Sequence, residues 1–127
     1  MSRTAQPFDD ERAPAPSRSK DTPLDAARAQ ICAASVSIAF GVPELDIARP
    51  DRRGPGVDFA RQVAMYLAHV QFGMTHTRIG TLFGRDRSTV SHACRAVTDL
   101  LDDAVFCDKI ERIGSKLEAF ASDEAFA

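Results

Sequence analysis

The chain has 127 residues, of which 44% are hydrophobic and 27% charged, and its formal net charge at pH 7 is −2. This length suits one domain with a modest core and leaves no room for a second, catalytic domain. No segment approaches the roughly 18 consecutive apolar residues of a membrane span. Prolines and charges occupy the N-terminal segment, where a signal peptide would be apolar, so we expect a cytoplasmic protein.

Charge is distributed unevenly along the chain. Residues 49–95 contain eight arginines against three aspartates, a net charge of +5, whereas residues 96–127 have a net charge of −5. One segment attracts phosphate and the other repels it. This polarity predicts a chain that orients itself on a polyanion, and it leaves the acidic end able to dock a basic partner.

The cysteines predict neither a disulfide nor a metal site. Cys32, Cys94 and Cys107 are odd in number, lack CxxC spacing and fall at apolar helical positions, so we expect buried, reduced thiols. His92 and Cys94 lie on different faces of one predicted helix and cannot form a nucleophile pair within it. The sequence also has no glycine-rich phosphate loop. We therefore expect no metal, no cofactor and no enzymatic activity.

The first predicted helix follows a polar segment. Residues 1–21 mix proline, serine and charges of both signs, which predicts a disordered tail. Thr22-Pro23-Leu24-Asp25 then predicts a helix start, with threonine as N-cap, proline at the first helical position and aspartate three residues after the cap. We expect Leu24, Ile31 and Ile38, flanked by Cys32, Val36 and Phe40, to form a broad apolar surface that is buried in a helical bundle.

A basic loop and two further helices come next in the prediction. Residues 43–48 fit a single helical turn, and residues 49–56, RPDRRGPG, fit neither helix nor strand. A core helix is predicted from Asp58 to Gly73. The final helix is predicted from about Asp103 to Ala121, so that the domain spans residues 22–121 and a short tail occupies 122–127.

Between these helices the sequence predicts two short helices around a glycine turn. Thr75 is expected to cap a helix that ends at Phe83, Gly84 breaks it, and Asp86 caps a second helix that extends to about Leu101. One face of the second helix has hydroxyl, imidazole and guanidinium groups, opposite an apolar row. The polar positions are Ser88, Ser91, His92, Arg95 and Thr98. Such groups bind phosphates and base edges, so this face favours DNA over plain solvent.

Short motifs stand in a fixed order through this region. They are RQVAMYLA at 61–68, IG at 79–80, FG at 83–84, RDRSTV at 85–90 and HACR at 92–95. In this order they resemble the C-terminal DNA-binding domain, domain IV, of the bacterial chromosomal replication initiator DnaA, over about residues 24–117. The resemblance implies an all-α fold, a compact helical bundle with a helix-turn-helix, similar to the Trp repressor. It also implies a recognition helix in the major groove and a basic loop that reaches the minor groove.

The helical face and the resemblance together assign the candidate contacts. Base contacts are expected from Arg87, Ser88, Thr89, Ser91 and His92, near the start of the recognition helix. Minor-groove contacts are expected from Arg49, Arg52 and Arg53, on a flexible loop that orders on DNA. Phosphate contacts are expected from Arg61, Thr75, Arg78, Arg85, Asp86 and Arg95.

Plainer interpretations of the same residues stay open. The recognition face could be a capped, solvated helix, the arginine loop an ordinary polar surface loop, and Thr75 a helix cap alone. The sequence also departs from the family at two places. Arg87 replaces a residue that is commonly histidine, and only Gly84 separates Phe83 from Arg85, where the family usually has two residues. Because arginine pairs best with guanine O6 and N7, we expect a target other than the initiator's usual box.

The sequence thus predicts a sequence-specific double-stranded DNA-binding protein, a regulator and possible activator of transcription, associated with the nucleoid and without an ATPase module. Free-standing domains of this kind also resemble the DNA-binding part of bacterial gene-transfer-agent activators. The acidic C-terminal region is expected to contact RNA polymerase or a second regulator, and neither a membrane nor a small-molecule substrate is expected. Two alternatives remain: a modulator that competes with the initiator at origin boxes, and an adaptor that binds protein and not DNA.

Overall fold

A computed structural model describes residues 22–126 and the side chains of residues 24–120. This part of the chain consists of helices α1 (Thr22–Phe40), α2 (Glu44–Ala48), α3 (Pro55–Phe72), α4 (His76–Phe83), α5 (Arg87–Leu100) and α6 (Ala104–Phe126), joined by short connections. The predicted all-α fold is confirmed. The disordered tail predicted for residues 1–21 lies outside the described residues. None of the helices described is both long and apolar enough to cross a membrane.

Helix α3 lies at the centre of the bundle and packs against each of the other helices. Its side chains Val63, Ala64, Leu67 and Ala68 are completely buried. The alanines allow neighbouring helices to approach closely, while valine and leucine fill the space between them. α3 therefore forms the platform on which α4 and α5, the helix-turn-helix, are positioned.

The predicted helix ends around this platform are confirmed. The hydroxyl of Thr75 accepts a hydrogen bond from the Arg78 amide at 3.1 Å, and the Asp86 carboxylate accepts one from the Thr89 amide at 3.0 Å. Gly84 ends α4 with φ of +70°, a conformation that costs glycine little. Local chemistry alone therefore fixes where α4 ends and where α5 begins.

Two predicted boundaries are wrong. α3 begins at Pro55 and not near Asp58, because proline has the φ of a helix and lacks the N–H that the first helical position leaves unsatisfied. α6 continues to Phe126, past the predicted end at Ala121. No glycine or proline interrupts residues 115–126, so nothing in the local sequence ends the helix earlier.

The buried face of α1 also differs from the prediction. Cys32 and Val36 are buried as predicted, but Ile38 is 82% exposed, and Asp25 and Ala29 are buried beside them. The four buried residues follow i, i+4, i+7, i+11 spacing and therefore form one stripe along the helix. The aliphatic pattern did not indicate that Asp25 is buried, because an aspartate is not expected in the core.

Asp25 is buried because two arginines neutralise it. Its Oδ1 lies 3.1 Å from Arg28 Nη1 on the same helix, and its Oδ2 lies 3.2 Å from Arg78 Nε on α4. The predicted capping role of Asp25 is thus replaced by an ion-pair network that joins α1 to α4. Arg78 is three-quarters buried in this network, so its predicted phosphate contact would require it to leave a buried carboxylate.

We expect Asp25→Ala to lower the free energy of unfolding by about 3 kcal/mol or more, because two partly buried guanidinium groups lose their counter-charge. Urea unfolding followed by circular dichroism measures this loss. Asp108→Asn is the matched control, since Asp108 pairs with Arg112 at 3.1 Å on the exposed surface of α6. Equal effects of the two substitutions would contradict a structural role for the buried pair.

Candidate nucleic-acid interface

Helix α5 packs with one face and exposes the other, as its sequence predicts. Val90, Ala93, Cys94 and Val97 are buried. The opposite side presents exposed Arg87, Ser88, Thr89, His92 and Arg95. Since the buried residues seat α5 against α3 and α4, these polar groups are held on a rigid element that faces solvent.

The Asp86 carboxylate organises the first turn of α5. Besides the Thr89 amide it accepts a hydrogen bond from the Ser88 hydroxyl at 3.2 Å. Hydrogen bonds from Thr89 and then Ser88 lower the pKa of Asp86, so the side chain is ionised at neutral pH. An ionised carboxylate repels phosphate. We therefore replace its predicted phosphate contact with a positioning role at the start of the helix.

The turn between α4 and α5 is held by close backbone contacts. A side chain at Gly80 would collide with the backbone carbonyl of Arg85, and one at Gly84 would place its Cβ 2.8 Å from Pro50 Cγ. Arg85 in turn donates from Nη2 to the Pro50 carbonyl at 3.1 Å. The turn that orients α5 is therefore also fastened to the arginine loop.

The arginine loop, residues 49–54 between α2 and α3, lies beside the start of α5. Arg53, Arg85 and Thr89 line one surface cleft of about 280 Å³. The loop side chains are open to solvent, with exposed fractions of 51% for Arg49, 53% for Arg52 and 69% for Arg53. The structure thus brings the predicted minor-groove loop and the predicted recognition helix together on one surface.

Arg61 also lines this cleft but turns its guanidinium into the protein, so the structure gives no support to its predicted phosphate contact. Its side chain is only 3% exposed. Nε donates to the Ile47 carbonyl at 2.9 Å, and Nη2 lies 2.7, 2.6 and 2.8 Å from the carbonyls of Asp46, Arg49 and Arg52. The guanidinium therefore donates mainly to backbone oxygens inside the protein.

These contacts explain why an arginine is needed at position 61. Asp46 and Ile47 lie in the last turn of α2, whose carbonyls have no partner within the helix. Only a guanidinium offers enough donors in one plane to reach both of them and the loop carbonyls. Burial lowers the pKa of Arg61, and the nearby charge of Arg85 lowers it further. Consequently the loop backbone is anchored to α3 through Arg61, and the predicted ordering of the loop on DNA stays a prediction.

The sequence did contain a sign of this role. Arg61 lies within a helical stretch in which Ala60, Val63 and Ala64 are all buried. An arginine surrounded by core positions is seldom a surface phosphate contact, since its long side chain must then end inside the protein. The motif resemblance favoured a contact with DNA and obscured this signal.

Two other predicted contacts are occupied within the protein. Ser91 is half-buried, and its hydroxyl oxygen lies 2.8 Å from Nδ1 of the buried His76. Its side chain turns toward a cleft between α3 and α5 that His69 and Arg95 also line, so we no longer assign Ser91 to base contact. The Thr75 hydroxyl accepts from the Arg78 amide, which supports the interpretation of this residue as a helix cap.

The described cysteines hold no disulfide. Cys32 and Cys94 are buried, as predicted, whereas Cys107 is only half-buried. Burial raises the pKa of the Cys32 thiol to about 12, so it is neutral and unreactive at physiological pH. Among the described residues no group of three metal-ligating side chains could hold an ion.

This arrangement of α4, a glycine turn and an outward-facing α5 is that of a helix-turn-helix protein. The family model of the bacterial DnaA protein helix-turn-helix matches residues 30–97, more than half of the chain. The chain therefore belongs to the bacterial DnaA helix-turn-helix family.

Relatives agree with this assignment, and a solved structure shares the fold. The chain is 44% identical over 69 residues to the chromosomal replication initiator protein DnaA of Gluconobacter oxydans, an alignment that covers 53% of this chain and 14% of that protein. It is 36% identical over 77 residues to DnaA 2 of Chlamydia trachomatis, covering 60% and 17%. A crystal structure of a DNA replication initiation factor superposes with a TM-score of 0.69 and 23% identity, covering 81% of this chain and 31% of that one. The chain thus spans under a fifth of the length of these two DnaA proteins.

We expect Arg61→Met to lower the free energy of unfolding by about 3 kcal/mol, because buried carbonyls lose their charged donor. Hydrogen exchange should also accelerate at the amides of Arg49 and of residues 51–53, whose loop is no longer held. Arg61→Lys should recover little, since a single ammonium cannot reach all four carbonyls. Unchanged exchange in the loop would disprove the role of Arg61 as its anchor.

Proposed function

We propose that this domain binds double-stranded DNA, with the start of α5 in the major groove and the arginine loop over the adjacent minor groove. The observation that supports this most is the shared cleft lined by Arg53, Arg85 and Thr89, which makes loop and helix one continuous surface. Arginine side chains in the minor groove and a helix N-terminus in the major groove are a common combination in DNA-binding proteins.

The groups on this surface divide into two kinds of contact. Arg87, Ser88, Thr89 and His92 are exposed on the first turns of α5, where base edges are read. Arg85 and Arg95 flank them and are proposed to bind phosphates, which position the protein without specifying sequence. This division predicts that loss of one group changes which sequences bind, while loss of the other weakens binding to all of them.

We further propose that the biological role is regulation of transcription. The exposed acids Asp108, Glu111 and Glu118 on α6 are a suitable surface for a protein partner such as RNA polymerase. Modulation of replication is the second candidate, supported by the initiators among the relatives. Chromatin mapping separates the two, since enrichment at promoters supports regulation and enrichment at the origin supports competition with the initiator.

We expect binding to a duplex to weaken steeply with salt, because roughly five phosphates are neutralised. Fluorescence anisotropy with duplexes selected from a random library, and with scrambled versions of them, measures this dependence. A flat salt response, or no binding at low salt, would contradict DNA binding. Pull-down of a protein that survives nuclease treatment would then favour the adaptor alternative.

Arg87→Ala should reduce discrimination between selected and scrambled duplexes by about 1–3 kcal/mol, because a bidentate base contact is lost. Arg95→Ala should weaken both duplexes to a similar extent. The control is Arg112→Ala on α6, which removes the same positive charge at a position outside the proposed DNA-binding surface. Discrimination that is unchanged in Arg87→Ala would exclude direct readout by this residue.

A further inference from the structure

The arginine loop is paired with carboxylates of its own chain. Arg49 donates from Nε and Nη2 to the two carboxylate oxygens of Asp51 at 3.1 and 3.0 Å. Arg53 contacts both oxygens of Asp58 in the same way, at 3.3 and 3.5 Å. These are the two-point contacts that a guanidinium also makes with a phosphate group.

The third arginine has a looser partner, since Arg52 Nε lies 3.8 Å from Oδ1 of Asp46. Each positive charge of the loop is thus matched by a negative charge at short range. The local surface is therefore nearly neutral, although residues 49–95 have a net charge of +5 along the sequence. DNA phosphates that approach this loop find its arginines already engaged.

Of these carboxylates, Asp51 is the one best placed to exchange with DNA. It is 62% exposed, and such exposed ion pairs are weak in water, so the Arg49–Asp51 contact can open. Hydrogen bonding from Arg49 lowers the pKa of Asp51, so the carboxylate is charged at neutral pH. Asp58, by contrast, also accepts a hydrogen bond from the buried Arg61 at 3.4 Å, so it helps to hold the loop against α3.

We propose that Asp51 is an internal competitor of DNA phosphate for the Arg49 guanidinium, and that it sets the affinity of the domain for DNA. When Arg49 turns to a phosphate, Asp51 is left next to a polyanion, and this repulsion opposes binding. Purely electrostatic association is thereby kept weak, so that stable binding depends on the contacts of α5. The proposal rests on the DNA-binding function proposed above.

The test compares Asp51→Asn with the wild-type chain on a mixed-sequence duplex of about 20 base pairs, at salt concentrations from about 50 to 300 mM. We expect Asp51→Asn to bind about threefold more tightly or better at the low end of this range. The slope of log affinity against log salt should become steeper by up to about one, as Arg49 gains a full phosphate contact. Because Asp51 is exposed, thermal unfolding should be nearly unchanged.

The control is Asp108→Asn, which changes the net charge equally but removes the partner of Arg112 on α6. Its affinity should stay close to that of the wild type. A second comparison places Asp51→Asn in an Arg49→Ala background, where it should have little effect, because the group for which Asp51 competes is gone.

Each outcome is decisive. Affinity of Asp51→Asn equal to the wild type, or a gain matched by Asp108→Asn, overturns the competitor role while leaving DNA binding intact. A gain that persists without Arg49 assigns the effect to general charge repulsion and also overturns it. Failure of the wild-type chain to bind the duplex at low salt contradicts the DNA-binding function itself, and the competitor role with it.

Discussion

The buried guanidinium of Arg61 is the interaction on which the candidate surface depends. It ties α3 to the end of α2 and to the loop that follows, through four backbone carbonyls. Since α3 also supports α5, one residue of the central helix fixes the loop and the recognition helix relative to each other. A loop held in advance loses less conformational entropy on binding than one that must order on its ligand.

The contact between the loop and the helix-turn-helix strengthens this arrangement. Pro50 packs against Gly84, and its carbonyl accepts from Arg85. Gly84 therefore serves two purposes, since it permits the left-handed conformation that ends α4 and leaves room for the proline ring. The turn, residues 84–86, is closed by these contacts and is compatible with an outward-facing α5.

Most of the fold could be predicted from the sequence, because its signals are local. Capping residues such as Thr75 and Asp86, and turn glycines such as Gly84, act on backbone groups within a few residues of their own position. In the structure they have the roles that their chemistry predicts. The apolar row of α5 likewise gives its buried face. The motif resemblance indicated that the helices form a bundle with a helix-turn-helix, which local patterns alone could not.

What the sequence did not yield are the interactions between distant residues. Nothing local indicates that Asp25 pairs with Arg78, which lies 53 residues away. The apolar neighbours of Arg61 suggest that it is buried, but they do not reveal that it binds carbonyls of another helix. The net charge summed along the chain overstated the positive charge of the loop surface for the same reason, since carboxylates pair with the loop arginines in the folded protein. The positions of charged side chains depend on tertiary structure, and so the candidate site was only partly predictable.

The central claim, that the arginine loop and the first turns of α5 form one DNA-binding surface, is tested most directly by NMR. Titration of a short duplex into the ¹⁵N-labelled protein should shift the amide signals of residues 49, 51–53 and 85–92 together, at the same DNA concentration, while residues 104–120 of α6 stay unaffected. Shifts confined to α6, or none at saturating duplex in low salt, would contradict it.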